Sequence, residues 1–309
     1  MTTMTLRRRS ILALLTVLPS LGAVSRVQAQ PTPATPPLRV VASFSILADM
    51  AREVGGPDVE VQALVGPNAD AHVFQPTPAD ARRVAGADLV VVNGLGFEGW
   101  IDRLVKSAGY RGAMVVASAG VTPRRGEAGH GHGEDPHAWQ DLRNAMRYVA
   151  NLRDAFARAR PAQAADLERR AQAYTDRLQT LDAEVRGRFD AIAKARRRIL
   201  TSHDAFGYFG AAYGIELLSP QGINTEAEPS SATVARLIRQ IRAREVSAVF
   251  MENISNPRLV EQIASEAGVK VGGHLYSDAL SPPGTEADTY FKLFAFNARA
   301  IAAALASGR

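Results

Sequence analysis

Residues 161–195 read PAQAADLERRAQAYTDRLQTLDAEVRGRFDAIAKA, and whether this stretch is one rod or several pieces decides the fold. Pro161 opens it, and Leu167, Ala171, Tyr174, Leu178, Leu181, Val185, Phe189 and Ile192 recur along it at intervals of three and four. That spacing traces one apolar stripe on a helix. A helix over the whole stretch would run roughly 50 Å at about 1.5 Å per residue, longer than a typical globular helix. Such a rod serves either as the seam of a coiled-coil dimer or as the spine joining two lobes of one chain. The spine is the preferred reading, with a monomer expected.

Strands and helices alternate on both sides of the rod. Before it come LRVVAS (38–43), a helical ILADMAREVGG ended by its glycine pair, VEVQALV (59–65), a short helix near PADARRVAG, DLVVVNG (88–94), a helix from Trp100, and AMVVAS (113–118). A further helix, DLRNAMRYVANLRDAFARAR, leads into Pro161. After the rod the alternation resumes with RILTSH (198–203), IELLSP (215–220), VSAVFME (246–252) and VKVGG (269–273), each followed by a helix, the last running from about Glu286 to Ala306. Strands apolar on both faces, alternating with helices, predict an α/β fold with parallel sheets covered on both sides. The expected order is an N-terminal lobe over 38–160, a spine helix over 161–195 and a C-terminal lobe over 196–309.

The N-terminus carries an address. Arg7, Arg8 and Arg9 precede an apolar run from Ile11 to Val24 that closes on Val27, Gln28 and Ala29. This predicts a secretory signal over 1–29, with either general or twin-arginine export open. QPTPATPP (30–37) has nothing to bury and is expected to be an extended leader. The signal holds four of the 36 basic residues and no acid, so the remainder sets 32 basic residues against 31 acidic. Near neutrality removes the electrostatic ground for a nucleic-acid partner. The chain has no cysteine, which excludes disulfides, thiolate metal sites and a lipoprotein's acylated cysteine, so a soluble periplasmic protein is expected.

Several motifs invite chemistry and fail on inspection. NGLGFEGW (93–100) has Gly94, Gly96 and Gly99 in GxGxxG spacing after a strand. A dinucleotide site needs an acidic residue about 20 positions on, and AMVVASAGV (113–121) supplies none. The bland alternative is a tight strand-to-helix turn. Ser202, His203 and Asp204 are adjacent, but a catalytic triad is assembled from spatial neighbours. No HExxH, P-loop or G-x-S-x-G elbow occurs, so no enzymatic activity is expected.

The six histidines remain: His72, His130, His132, His137, His203 and His274. His203 follows an apolar strand and precedes a helix, at the carboxyl edge where open α/β sheets bind ligands. His72 lies beyond VEVQALVGP, and Asp278 lies past VKVGG. Singly, each histidine reads as a surface or hydrogen-bonded residue; in comparable positions of both lobes they point to a shared cleft. Three imidazoles and one carboxylate are four borderline donors, a set suited to tetrahedral zinc, whereas manganese, calcium and magnesium prefer more oxygen.

The blocks VVASFSILADMAREVGG, ADAHVFQPTPAD, ADLVVVNGLGFEGW, DPHAWQD, TSHDAFGYFGAAYGI and VFMENISNP, with YSD near the C-terminus, resemble in order the zinc- and manganese-binding periplasmic proteins of ABC importers, the cluster A-I solute-binding proteins. The resemblance implies two Rossmann-like α/β lobes joined by a rigid helix, with one metal in the cleft between them. Carried over by residue, it implies His72 and His137 as first-lobe ligands and His203 and Asp278 as second-lobe ligands. Histidine at 203, where manganese members commonly carry a carboxylate, favours Zn2+ over Mn2+. Ala71, Gln75 and Leu142 depart from the usual pattern without touching a ligand. Glu252 is read as orienting a ligand, and His274 as structural. His130 and His132, in GEAGHGHGE (126–134), stay open between a zinc-collecting loop and plain loop composition.

The resemblance also implies delivery to a membrane permease driven by a cytoplasmic ATPase, with a periplasmic metallochaperone as a further partner. A closed four-ligand shell leaves no position for a substrate, which separates carrying zinc from catalysing with it. Neutral imidazoles are required, so affinity is expected to fall below about pH 6.5. Release is expected to depend on small shifts of the Asp278 loop. The alternatives are a manganese or dual-metal carrier, a secreted zinc enzyme with water replacing one ligand, and an adhesin or metal buffer without a transporter.

Overall fold

Strand β1 (Leu38–Phe44) is buried at every position except Arg39, as a strand in the middle of a covered sheet must be. In the computed structural model it pairs in parallel with β2 (Val59–Val65) on one side and β3 (Leu89–Val92) on the other, and β4 (Ala113–Val116) completes the order β2-β1-β3-β4. The structure describes residues 1–2, 36–126 and 133–307, and the fold below is that of Pro36 onward. The export signal from residue 3 on, nearly all of the leader, His130 and His132 lie outside the described residues.

Each crossover has a local cause. Helix α1 (Ser45–Gly55) stops where Gly56 turns to φ 54°, a conformation that costs glycine nothing. Helix α2 (Pro78–Ala85) starts on a reciprocal cap between Thr77 and Asp80, and α3 (Ile101–Ser107) follows the glycine-rich turn. The sequence pattern gave no sign of the next feature, an antiparallel hairpin of β5 (Arg124–Arg125) and β6 (Glu134–Asp135). Asp141 then caps α4 (Leu142–Ala159) by accepting the Arg143 N–H.

The long rod is shorter than 161–195. Residues Pro161–Gln163 form a 3-10 turn, and the α-helix α5 runs over Ala164–Asp190, or roughly 40 Å at about 1.5 Å per residue. Its C-terminal boundary comes early because the buried Arg197 turns back to donate to the Ile192 and Tyr213 carbonyls, and Lys194–Arg196 coil into a second 3-10 turn. Leu167, Ala171, Tyr174, Leu178, Leu181, Val185 and Phe189 are all buried. The stripe is covered within the chain by α1, α4 and the last helix, so it is an internal spine and not an exposed seam.

Beyond the spine lies a second parallel sheet, made of β7 (Arg198–Leu200), β8 (Glu216–Leu218), β9 (Ala248–Glu252) and β10 (Val271–Leu275) in the order β10-β9-β7-β8. Helices α6 (Gly207–Tyr213), α7 (Ser231–Ala243) and α8 (Arg258–Ala267) connect these strands, and α9 (Tyr290–Ser307) ends the fold. Helix α9 begins at Tyr290 and not near Glu286. Pro282 and Pro283 interrupt the preceding loop, Ser281 Oγ accepts the Ala287 N–H, and Asp49 accepts the Tyr290 N–H at 2.7 Å.

One continuous core runs from the first sheet through α4, α5, α6 and α9 to Ile199, Ala248 and Phe250 of the second sheet. A smaller core, with Leu200, Leu237, Ile241, Val249 and Ile263, lies beneath α7 and α8. Among the described residues no helix is long and apolar enough to cross a membrane.

Candidate metal centre

In each sheet the strand order reverses at one point, and chains leaving the carboxyl ends diverge there to form a crevice. In the second sheet the reversal lies between β7 and β9. His203 follows the end of β7, and Glu252 is the last residue of β9. His72 is on the loop after β2, His137 lies two residues beyond β6, and Asp278 lies three residues beyond β10. The structure brings His72, His137, His203 and Asp278 from separate loops into one cluster, with a donor atom from each lying within 4.8 Å of the others.

Three imidazoles present the same nitrogen. His72 Nε2 lies 3.2 Å from His137 Nε2 and 3.2 Å from Asp278 Oδ2. His203 Nε2 is 3.2 Å from Asp278 Oδ2, and His137 Nε2 is 3.6 Å from Asp278 Oδ1. A tetrahedral ion with bonds of about 2.0–2.1 Å needs its donors ~3.3 Å apart. Three of the four separations above match that edge, the fourth runs to the other Asp278 oxygen, and all the donors lie within 4.8 Å of one another. His137, His203 and Asp278 are wholly buried, and His72 is 7% exposed.

The far sides of two rings are also held. His137 Nδ1 lies 2.8 Å from Asp135 Oδ1, which also accepts the His137 backbone N–H at 3.0 Å. His203 Nδ1 lies 2.6 Å from Glu252 Oε2, while Glu252 Oε1 accepts the His203 backbone N–H at 2.9 Å. A carboxylate on Nδ1 keeps the proton there, leaves Nε2 bare for a cation and makes it more basic. Glu252 therefore has the place expected of an orienting group. Asp135 was missed in the sequence, where its only signal is its position two residues before His137. The aromatic wall was also missed: Phe97 lies 4.7 Å from the His72 ring, and Trp139 lies 5.3 Å from that of His137.

Charge in this buried pocket is set by mutual compensation. Burial opposes a charge on His203, but Glu252 and Asp278 outweigh it and hold the imidazole pKa well above its usual value. Burial likewise disfavours the Asp278 carboxylate, yet His203 and His137 outweigh it and keep that carboxyl well below the ordinary range. Burial lowers His72, with Asp278 opposing. A cation entering here replaces positive charge that the site already favours.

His274 is not part of the cluster; its Nε2 lies 3.1 Å from the Tyr276 hydroxyl and 3.5 Å from Glu286 Oε1. The glycine-rich turn is explained by its own acid. Glu98 Oε1 accepts the Asn93 N–H at 2.6 Å and the Ser43 hydroxyl at 2.5 Å, and Oε2 accepts the Gly94 N–H at 3.2 Å. Backbone donors that would face a phosphate in a nucleotide-binding loop are thus taken by a buried carboxylate of the chain itself. Gly94 sits at φ 85°, and a Cβ there would come within 2.6 Å of Val116.

Residues 40–304 match the family model described as "Zinc-uptake complex component A periplasmic". The chain belongs to this family. It is a metal-binding substrate-binding protein of an ABC importer, a carrier and not an enzyme. Its relatives include the iron-binding protein YfeA of Yersinia pestis, 34% identical over 85% of each chain. Another is the manganese-binding lipoprotein MntA of Halalkalibacterium halodurans, 31% identical over 84% of this chain and 86% of that one. The periplasmic zinc-binding protein TroA from Treponema pallidum shares the fold with a TM-score of 0.82 at 30% identity, covering 87% of this chain and 99% of that chain. The MntA relative is by name a lipoprotein, so the expectation of an unanchored protein draws no support from it.

Proposed function

We propose that this protein captures Zn2+ in the periplasm through His72 Nε2, His137 Nε2, His203 Nε2 and the Asp278 carboxylate, and passes it to a membrane permease. The observation that carries this reading is the donor geometry: three imidazole nitrogens and one carboxylate within 4.8 Å of one another, with four of their separations at 3.2–3.6 Å, close to the edge of a zinc tetrahedron. Nitrogen-rich, borderline donors favour zinc over harder ions. The outer carboxylates Asp135 and Glu252 make those imidazoles better donors. Burial of all four donors, His72 alone keeping 7% exposure, supports a site closed to a substrate, which is the condition for carrying and not catalysing.

A manganese or iron carrier is the second reading, and one feature of the site favours it. Asp278 turns Oδ2 toward His72 and His203 and Oδ1 toward His137, so both oxygens face the centre and can bind together. A bidentate carboxylate raises the coordination number above four. Competitive titration of the metal-free protein with zinc, manganese and ferrous iron, with His203→Ala alongside, separates these readings. One equivalent of zinc, bound at least tenfold more tightly than the other two and lost with His203, is the expected result. Zinc binding no better than millimolar overturns the proposal, and tighter manganese or iron replaces it with the second reading.

A further inference from the structure

Asp278 comes from the second half of the chain, after β10, yet the hydrogen bonds around it come mainly from the first half. The carbonyl of Ser277, the residue before it, accepts Trp139 Nε1–H at 3.0 Å and Gln140 Nε2–H at 2.9 Å. Two residues after it, the Leu280 N–H donates to Ser45 Oγ at 3.0 Å, and the Leu280 carbonyl accepts the Asn68 N–H at 3.0 Å. From the second half, His203 Nε2 lies 3.2 Å from Asp278 Oδ2, and Asn253, just after β9, donates its Nδ2 to the Ala279 carbonyl at 3.1 Å and is also 2.9 Å from Asn68 Oδ1. His203 is held differently, by Glu252 and, through its carbonyl, the Thr201 hydroxyl, both from the second half.

Resting on the metal-binding reading above, we infer that Gln140 is a positioning residue for Asp278, acting with Trp139, Ser45 and Asn68 to seat this ligand on the first-half frame that carries His72 and His137. The site then divides as three ligands on one frame and His203, braced by Glu252, on the other. Two features single out Gln140. It is fully buried while its Oε1 has no hydrogen-bond partner among the described residues, so its place there is justified by the one donor it sends to Ser277. It also lies three residues from His137, so one turn of chain links the two ligands.

Gln140→Met keeps the length and volume, deletes the donor and removes the unpartnered oxygen, so the fold should tolerate it. The test is a double-mutant cycle read as zinc affinity by chelator competition. Gln140→Met is expected to weaken zinc on the order of tenfold in the otherwise unchanged protein, the lower end of the effect of outer partners on metal sites. The same loss is expected in a His203→Ala background, and a loss of less than about twofold in Asp278→Ala, where there is no carboxylate left to position. Equal losses in both backgrounds would show that Gln140 merely supports the fold, and would overturn the inference. If Gln140→Met fails to fold, Ser45→Ala, which acts on the Leu280 N–H beyond Asp278, goes through the same cycle with the same two outcomes. Unchanged zinc affinity in both His203→Ala and Asp278→Ala would instead refute the proposed ligands, a failure distinct from that of the inference.

Discussion

Replacing Glu252 by glutamine tests how His203 is presented to the ion. Glu252 spends its two oxygens on two donors of one residue: Oε2 faces His203 Nδ1 at 2.6 Å, and Oε1 accepts the backbone N–H at 2.9 Å. A glutamine has one acceptor and one donor, so either way round its NH2 meets an N–H or Nδ1. If it faces Nδ1, the ring must place its proton on Nε2, the nitrogen that the ion needs bare. If it faces the backbone N–H, a buried donor is left without a partner. Either outcome forfeits one charge-assisted hydrogen bond, worth about 1.5–3 kcal/mol, or roughly ten- to hundredfold in zinc affinity. Asp135→Asn is the control. Asp135 uses Oδ1 alone for both His137 contacts, and an asparagine keeps that oxygen, so its loss should stay below about tenfold. The assay is chelator competition for zinc at pH 7.5, with thermal unfolding of the metal-free proteins to confirm the fold. Glu252→Gln within threefold of the parent, or Asp135→Asn losing as much as Glu252→Gln, would refute the reasoning.

Asp49 supplies a pH prediction. Burial lifts its carboxyl from 3.8 to about 6, only partly opposed by the Tyr290 N–H, so ionisation is disfavoured by folding. The penalty is absent below about pH 4, grows between pH 4 and 6 and is complete above, where the gap corresponds to at most roughly 3 kcal/mol. Asparagine keeps an acceptor for Tyr290, so Asp49→Asn should raise urea-unfolding stability by about 1–3 kcal/mol at pH 7.5 and leave it unchanged at pH 4; an equal gain at both would exclude ionisation as the cause. Leu178, fully buried on the spine, faces the core shared by both sheets, and Leu178→Ala should cost about 2–5 kcal/mol. Calorimetry should show that loss as one shifted transition, whereas a split into two transitions would mean the sheets melt independently. Gly94→Ala puts a Cβ within 2.6 Å of Val116 at a φ of 85°, and a destabilisation of at least about 1 kcal/mol in denaturant unfolding is expected; no change would mean the turn around Glu98 is slack.

The sheets and the spine were legible because burial imposes a period. The strands of both sheets announce themselves as short apolar runs, and the stripe from Leu167 to Phe189 can only be a buried helical face. Boundaries were less legible because they depend on distant partners. Helix α9 starts at Tyr290 because Asp49, 241 positions earlier, takes its N–H, and α5 stops where Arg197 turns back onto the chain. The hairpin Arg124–Arg125/Glu134–Asp135 left no trace because two-residue strands have no period to read.

The site divides in the same way between what a side chain declares and what a fold arranges. Histidine is scarce and chemically conspicuous, so His72 and His203 could be singled out by their places beyond strands, with Asp278 beside them, and the resemblance added His137. Asp135 and Phe97 are ordinary residues whose importance comes only from what they touch. The glycine-rich turn shows the limit most clearly. The acid that a nucleotide fold needs was sought about 20 residues downstream, while the acid that matters, Glu98, lies inside the motif and fills its donors from within. The grip on Asp278 is still less visible, because its acceptors are the carbonyls of Ser277, Ala279 and Leu280, and every residue has a carbonyl. Side-chain chemistry can nominate ligands, but which half of the molecule holds each ligand is decided by backbone groups that carry no mark in the sequence.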